Sequence, residues 1–598
     1  MKSNTIRCWA VGILFVGTCM PCFSETLAPH PRLLGGEAEF AAIREKAKTD
    51  PLIGAAMKGI AARASDYAAS SPLTRKTCGR RLLKISREAL ARISYCAMDA
   101  RVNGNERSRA AAIRTMKESV AFSDWNPSHF LDVAEMCLAV SLGYDWLYRD
   151  LSDEDRREIS AGLKRHGFDE MCREASKPVG SKLFAHNNWG QVCSAGAIAV
   201  ALALWDEEAS RARELVKRAV EGIQVSMAVY APKGCYPEGP GYWNYGTSFN
   251  VIALALLEHA RGTDEGLSRV SGFLATGDFL DWTTGPTGEM FNYSDSGLRR
   301  PATTAAWWFA AHGLPPRVDF FEREAVLAAV DHPEGLPRAF PCALFWMLNV
   351  PQAEPVARPR VWSSDDPTGI VTMRTDWSTN AWFVAFKGGL VGANHGHLDV
   401  GSFVFEADGV RWAGDLGPEL YGRVEATGLS LFNMSQSSDR WKLYRFNNES
   451  HNVLHPDGVL QNVKSSGRVI SARDTGTALE TEFDLDAIYA PALKGWTRRA
   501  RLTAESLEIT DEVHAGTGDA VIWGFSTQAQ AMVVGDAVVL KANGRVMKVT
   551  ASGSKGAVWK VGPAEGRHPV DSRNEGWSRV SLVLSPDEGF RLVVRFSR

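Results

Sequence analysis

The chain is 598 residues long, 45% hydrophobic and 23% charged, with a formal net charge of -2. That length exceeds what a single core supports, so two domains are expected. The balanced charge excludes a broadly basic surface and nucleic acid as a partner, so any polyanion has to be met by a local cluster.

Residues 1–24 have the order of an export signal: Lys2 and Arg7, an apolar run from Cys8 to Phe23, then Cys22 and Ser24 before a cut at Glu25. The mature protein is therefore expected in the periplasm or outside the cell. A lipoprotein reading would use Val16-Gly17-Thr18-Cys19, where Thr before the Cys is a poor match. No later stretch approaches the roughly 20 apolar residues of a membrane span. Seven cysteines follow the signal (Cys78, Cys96, Cys137, Cys172, Cys193, Cys235 and Cys342) without metal-knuckle spacing, and most lie in apolar helical contexts as buried thiols.

Residues 25–350 carry helical periodicity, as in Val133, Met136, Cys137, Val140 and Leu142. Ser152-Asp153-Glu154-Asp155 caps a run to His166 that Gly167 is expected to close. Further helices are expected over 189–205, 207–230, 243–261, 302–313 and 335–349, a succession that suggests hairpins packed in a ring or solenoid. Residues 351–362, with three prolines at Pro351, Pro355 and Pro359, form a linker. Beyond it, short alternating runs such as Trp382–Phe386, Ser402–Phe405 and Leu507–Thr510 predict an antiparallel β-sandwich over 363–598.

Four clusters crowd polar groups where pattern alone predicts core or plain loop. His186-Asn187-Asn188-Trp189 precedes an apolar helix and reads equally as a capping turn. Tyr236-Pro237-Glu238-Gly239-Pro240-Gly241-Tyr242-Trp243-Asn244-Tyr245 hands aromatic hydroxyls to a helix start beside a carboxylate, which suits either packing or a sugar cleft. In Asn394-His395-Gly396-His397-Leu398-Asp399, extended geometry would put His395, His397 and Asp399 on one face, for metal ligation or for acid/base work. Asp415 and His451 lie on later elements and are candidates to complete such a site. Phe291–Gly297, followed by Arg299 and Arg300, is a polar loop whose plain reading is an Asx-type turn.

Through His186-Asn-Asn-Trp, Pro237-Glu-Gly-Pro-Gly-Tyr242-Trp, Asn394-His-Gly-His-Leu-Asp and Ser450-His-Asn, the chain resembles the heparinase II/III-like polysaccharide lyases and the related oligoalginate lyases. The resemblance implies an incomplete (α/α) toroid followed by an antiparallel β-sandwich, and β-elimination on a uronic-acid-containing polysaccharide or oligosaccharide. It implies that Asn187 or Asn188, assisted by His186, neutralises the substrate carboxylate, and that Tyr242 transfers the proton with His395 as partner. Tyr245 is a rival for the Tyr242 role. It also implies a structural zinc on His397, Asp415 and His451. Trp189, Glu238, Tyr245, Tyr421 and Arg423 are expected to line the cleft, and Arg423, Arg440, Lys442 and Arg445 form a basic set that would suit an acidic substrate. The rival readings are a toroid glycoside hydrolase with Glu238 and Asp295 as its two carboxyls, and a non-catalytic polysaccharide-binding protein.

Overall fold

The computed structural model describes residues 27–312, 320–351, 357–364, 367–516, 520–553, 557–584 and 589–598. The expected signal and lipobox, and residues 352–356 of the expected linker, lie outside them. Among the described residues no helix is long and apolar enough to cross a membrane.

The described residues between 37 and 347 form a two-layered ring of helices. Leu83–Asn103, Leu131–Trp146, Asn188–Ala203 and Gly239–Arg261 pack side by side as the inner layer, and Pro51–Ala69, Glu106–Val120, Asp153–Leu163 and Trp205–Met227 lie outside them. The difference is written in composition. Leu131–Trp146 is buried at every position, whereas Glu106–Val120 and Trp205–Met227 bury one face and give charged residues to water. Ala343–Met347 returns to pack on the first two helices, Glu37–Thr49 and Pro51–Ala69.

The ring is incomplete after Arg261. Only short helical pieces follow there, with an irregular loop over residues 284–304, before Ala305–Ala311.

Two local expectations are corrected. Ser152 does cap its helix, accepting from the Asp155 amide at 3.1 Å, but Gly167 does not end it. The helix runs through a π-turn at Lys164–Phe168 into Asp169–Ala175. A Cβ on Gly167 would stand 2.9 Å from Cys137 Sγ, so this glycine serves close packing. The expected helix over 335–349 shrinks to Ala343–Met347 behind two 3-10 turns, since Pro337 and Pro341 remove the amides a longer helix needs. All seven described cysteines are free; five are buried, Cys172 is half-buried and Cys78 is exposed.

The second domain is antiparallel throughout. A five-stranded meander, Val361–Ser363, Ile370–Arg374, Phe383–Lys387, Phe403–Ala407 and Val410–Ala413, packs on a nine-stranded sheet, and a four-stranded sheet completes the sandwich. In the large sheet, alternation is plain: Leu479–Asp484 alternates buried and half-buried residues. The central meander strands instead are buried at every position. Val371, Met373, Val384, Phe386, Phe403 and Phe405 face the sandwich core, while Ile370, Phe383, Ala385 and Val404 join the core of the helical ring. This sheet is thus shared by both halves.

The loop over residues 284–304 is stitched to the same sheet. Thr287 donates its amide to Glu406 at 2.8 Å, Arg411 donates to the Met290 carbonyl at 2.7 Å, and Asn292 Nδ2 donates to the Asp415 carbonyl at 3.2 Å. These bonds set the stage for the site, because they bring Asp295 under the loop that carries His395.

Candidate active site

The turn at Tyr236–Gly239 is the first positioning device. Gly239 has φ +85°, and a Cβ there would lie 2.4 Å from the Tyr293 carbonyl, so only glycine permits the close approach of loop 284–304. The helix Gly239–Arg261 starts at once, with Pro240 in its first turn, and presents Tyr242 and Tyr245.

These two hydroxyls go to different places. The Tyr245 hydroxyl donates to the buried Glu135 at 2.8 Å, within an ion cluster made by Arg87 and Arg338. The Tyr242 ring stacks on His395 at 4.0 Å between centroids, and its hydroxyl lies 3.2 Å from that of Tyr421. Burial and the Asp295 charge push the Tyr242 phenol above its ordinary pKa, and the same two causes raise Tyr421, so both are neutral phenols at neutral pH.

Asp295 is the hub beneath them. Its Oδ2 accepts from His395 Nδ1 at 2.8 Å and from the Tyr421 hydroxyl at 2.5 Å; its Oδ1 accepts from His397 Nε2 at 3.0 Å and from Arg440 Nη2 at 2.7 Å. Burial pushes this carboxyl up, but the Arg440 charge and the two imidazole bonds outweigh it and hold Asp295 well below the usual carboxylate range. An ionised carboxylate only accepts, so His395 directs an Nδ1 proton at Asp295, while its Nε2 faces Glu238 Oε1 at 3.7 Å. His395 has φ +57°, a strained backbone held by the Asp295 amide donating to the His395 carbonyl at 3.0 Å.

The asparagines sit opposite. Asn187 caps the helix Asn188–Ala203 by accepting from the Trp189 amide at 3.0 Å, which commits its oxygen. Asn188 is buried, and its Nδ2 donates to Glu238 Oε1 at 3.0 Å. Glu238 also accepts from Tyr236 at 3.2 Å and from Asn394 Nδ2.

A cavity of about 280 Å³ lies among these groups, lined by Asn187, Asn188, Trp189, Asn394, Tyr242, His395 and Tyr421, with Tyr245, His129, Arg80, Arg81 and Arg87 among its other walls. A second lobe of about 480 Å³ on the far side of Tyr242 and Tyr421 reaches Asn244 and Arg338.

Of the expected site residues, the fold therefore gathers Asn187, Asn188, Trp189, Tyr242, Tyr245, His395 and Tyr421 around one cavity. Glu238 lies behind the amides and positions Asn188 and Asn394. His186 and Arg423 are exposed and outside the lining. The basic set Arg440, Lys442 and Arg445 does not face the cleft either: Arg440 is fully buried on Asp295, Lys442 pairs with Asp439, and Arg445 bonds Asn574.

Asp399 departs from the expected His395/His397 face. The segment 391–402 is a loop, and Asp399 turns to the buried Lys387. The cations that do line the cleft, Arg80, Arg81 and Arg87, come from the start of the toroid, where the dense run Arg75, Lys76, Arg80, Arg81, Lys84, Arg87 was their only trace.

Behind His395, the groups of His397, Asp415 and His451 come within 4.8 Å of one another, all buried. His451 Nδ1 bonds Asp415 Oδ2 at 2.6 Å, and Asp415 is pulled down to about 2, burial being outweighed by its interactions with His451. Burial also lowers His397. His397 Nδ1 and His451 Nε2 are buried without a partner, two imidazole lone pairs beside a carboxylate, which is a donor set that fits a divalent ion such as zinc.

A ring of helical hairpins carrying a sandwich, with the site at their seam, is the (α/α)-toroid-plus-β-sandwich architecture. Residues 363–595 match the family described as heparinase II/III-like, C-terminal. Among solved structures, the fold is similar to a heparinase III, at 13% identity and TM-score 0.61, over 85% of this chain and 76% of that one. It is also similar to a mutant of the heparan sulfate lyase HepC from Pedobacter heparinus, at 12% identity and TM-score 0.57, over 86% and 76% of the two chains. A chondroitin AC lyase variant from Streptomyces coelicolor A3 matches at 11% identity and TM-score 0.50, over 93% and 82%. No curated protein matches the sequence.

Proposed function

We propose that the protein is an exported polysaccharide lyase that cleaves a uronic-acid-containing polysaccharide or oligosaccharide by β-elimination, leaving unsaturated uronate ends. One observation carries this reading: a neutral Tyr242 phenol whose ring stacks on the His395 imidazole that Asp295 orients through Nδ1, in a cavity walled by amides and arginines. The names of the structures with the same fold agree with it.

The difficulty of the reaction is the weak acidity of a C5 proton beside a carboxylate. Asn187, whose Nδ2 is left over after capping, donates to that carboxylate together with the cleft arginines, so the charge that develops on it is stabilised. His395 Nε2 removes the C5 proton. The electron pair forms the C4–C5 double bond, the C4–O bond breaks, and the departing oxygen takes the phenolic proton of Tyr242. His395 then returns its proton to Tyr242.

A hydrolase fits less well. Its acid has to be protonated, whereas Asp295 is held ionised by Arg440, and Glu238 is engaged by two asparagines.

His397, Asp415 and His451 would hold zinc as a brace between the His395 loop and the strands that follow. A bound ion there would supply cohesion rather than a reacting group.

The reaction test is ultraviolet absorbance of the mature protein with heparan sulfate, heparin, hyaluronan, chondroitin and alginate. A rising signal from the conjugated double bond is expected with at least one of them. New reducing ends without that signal would replace the lyase with a hydrolase.

A further inference from the structure

The catalytic cavity shares Arg80, Arg81, Arg87 and Phe432 with a much larger groove of about 1380 Å³, which runs between residues 78–91 of the toroid and 422–433 of the sandwich. It exceeds the roughly 300–1,000 Å³ that a drug-sized ligand fills, so it has room for several sugar rings.

Its charges are uneven. Arg63, Arg80, Arg81, Lys84, Arg87 and Arg338 line it, against Glu88 and Glu425. Arg87 and Arg338 are matched by buried Glu135, and Glu88 by Arg92. Arg80 and Lys84, both exposed, have no carboxylate partner among the described residues.

Arg81 occupies the junction of groove and cavity. Its Nη2 donates to Glu425 at 2.9 Å, joining toroid to sandwich across the cleft, and its guanidinium lies 5.3 Å from the Phe432 ring centre and 5.8 Å from that of Tyr421. Both partners of this pair are partly exposed, where an ion pair contributes little, so an entering anion competes on even terms with Glu425.

We propose that this groove is an extension subsite for anionic sugar units beyond the cleaved bond. Arg80 and Lys84 are its fixed contacts. Arg81 is an exchangeable one, held by Glu425 in the free protein and passed to a substrate carboxylate or sulfate when a chain enters. The inference rests on the lyase reading for its substrate class and adds that the protein is built for long acidic chains over minimal ones.

The test uses the full mature protein and a Lys84→Glu variant, which alters the groove but not the wall of the catalytic cavity, with labelled heparan sulfate, hyaluronan and alginate fragments, each as tetrasaccharide and dodecasaccharide. Binding is measured in a Tyr242→Phe background and turnover in the native one. The Lys84→Glu variant is expected to lose about tenfold in affinity and in kcat/KM on the long chain, with less than about twofold change on the short one. Its melting temperature should be unaltered and its salt dependence shallower. Glu425→Gln should tighten long-chain binding.

Equal losses on both lengths, no loss, or a wild type that binds long and short fragments of all three polymers alike would overturn the proposal. Length-selective binding without any double-bond product would instead retain the subsite and remove the lyase.

Discussion

Tyr242 and Tyr245 stand less than one helical turn apart and meet opposite halves of the molecule, one on the sandwich's His395 and the other on the toroid's Glu135. Their phenylalanine variants should therefore separate. Tyr242→Phe is expected to lower turnover at least about 100-fold with binding retained. Tyr245→Phe should leave turnover within a few-fold and cost about 1 kcal/mol of stability, through one lost bond to a carboxylate that keeps both arginines. Reversed outcomes would exchange the two roles. Asn187→Ala should likewise damage turnover more than folding, and Asn188→Ala the opposite, because Asn188 is buried on Glu238; melting curves beside initial rates check both.

At this scale the sequence was informative about which residues cluster and silent about their orientation. The His-x-His spacing named His395 and His397, yet the carboxylate that joins them is Asp295, about a hundred residues earlier, and not Asp399. Only the folded loop could reveal that Arg440 is consumed there.

Among single elements, the strand Leu454–Pro456 carries a prediction of its own. His455 is buried, and burial lowers its pKa to about 4. Folded His455 stays neutral while the unfolded chain takes up a proton near pH 6.5, so the unfolded state binds more protons between those values. Stability is full above about pH 6.5 and falls as the pH drops toward 4, by up to about 3 kcal/mol from this group. A His455→Gln variant should flatten the melting temperature across that window; an unchanged slope would assign the acid sensitivity to other groups.

The elements themselves were legible where periodicity is long, as in the inner helices. Boundaries failed where a local rule met tertiary packing, as at Gly167, which reads as a stop but fills a gap beside Cys137. The loop over 391–402 was expected to be extended for the same reason: two histidines in alternation look like a strand until a left-handed residue breaks it.

For the whole molecule, the proposed zinc makes chelation informative. Metal analysis of the purified protein should find about one zinc per chain, and removing it should lower the melting temperature; His397→Ala should show the same loss with a lower metal content. A protein that melts alike with and without chelator, and carries no metal, would remove the zinc.

Composition and texture gave the two-domain order, helices then strands, but the alternation within Phe383–Lys387 does not announce that both of its faces are buried. The sequence contains the hydrophobic residues without saying which body each one joins. Ile370, Phe383, Ala385 and Val404 belong to the helical core although they sit in the other domain.

That shared sheet limits how freely the halves can be separated. The stretch that matches the family model, 363–595, includes four of the residues that line the helical core. Cut away from its helices it would expose a bare aliphatic and aromatic face, the kind of patch that drives self-association. A fragment made on those boundaries is expected to aggregate or to recruit a second copy as a substitute lining. Grafting the sandwich onto another scaffold would then require transplanting the matching helical surface with it, so inheritance of the two halves as a pair follows from packing alone.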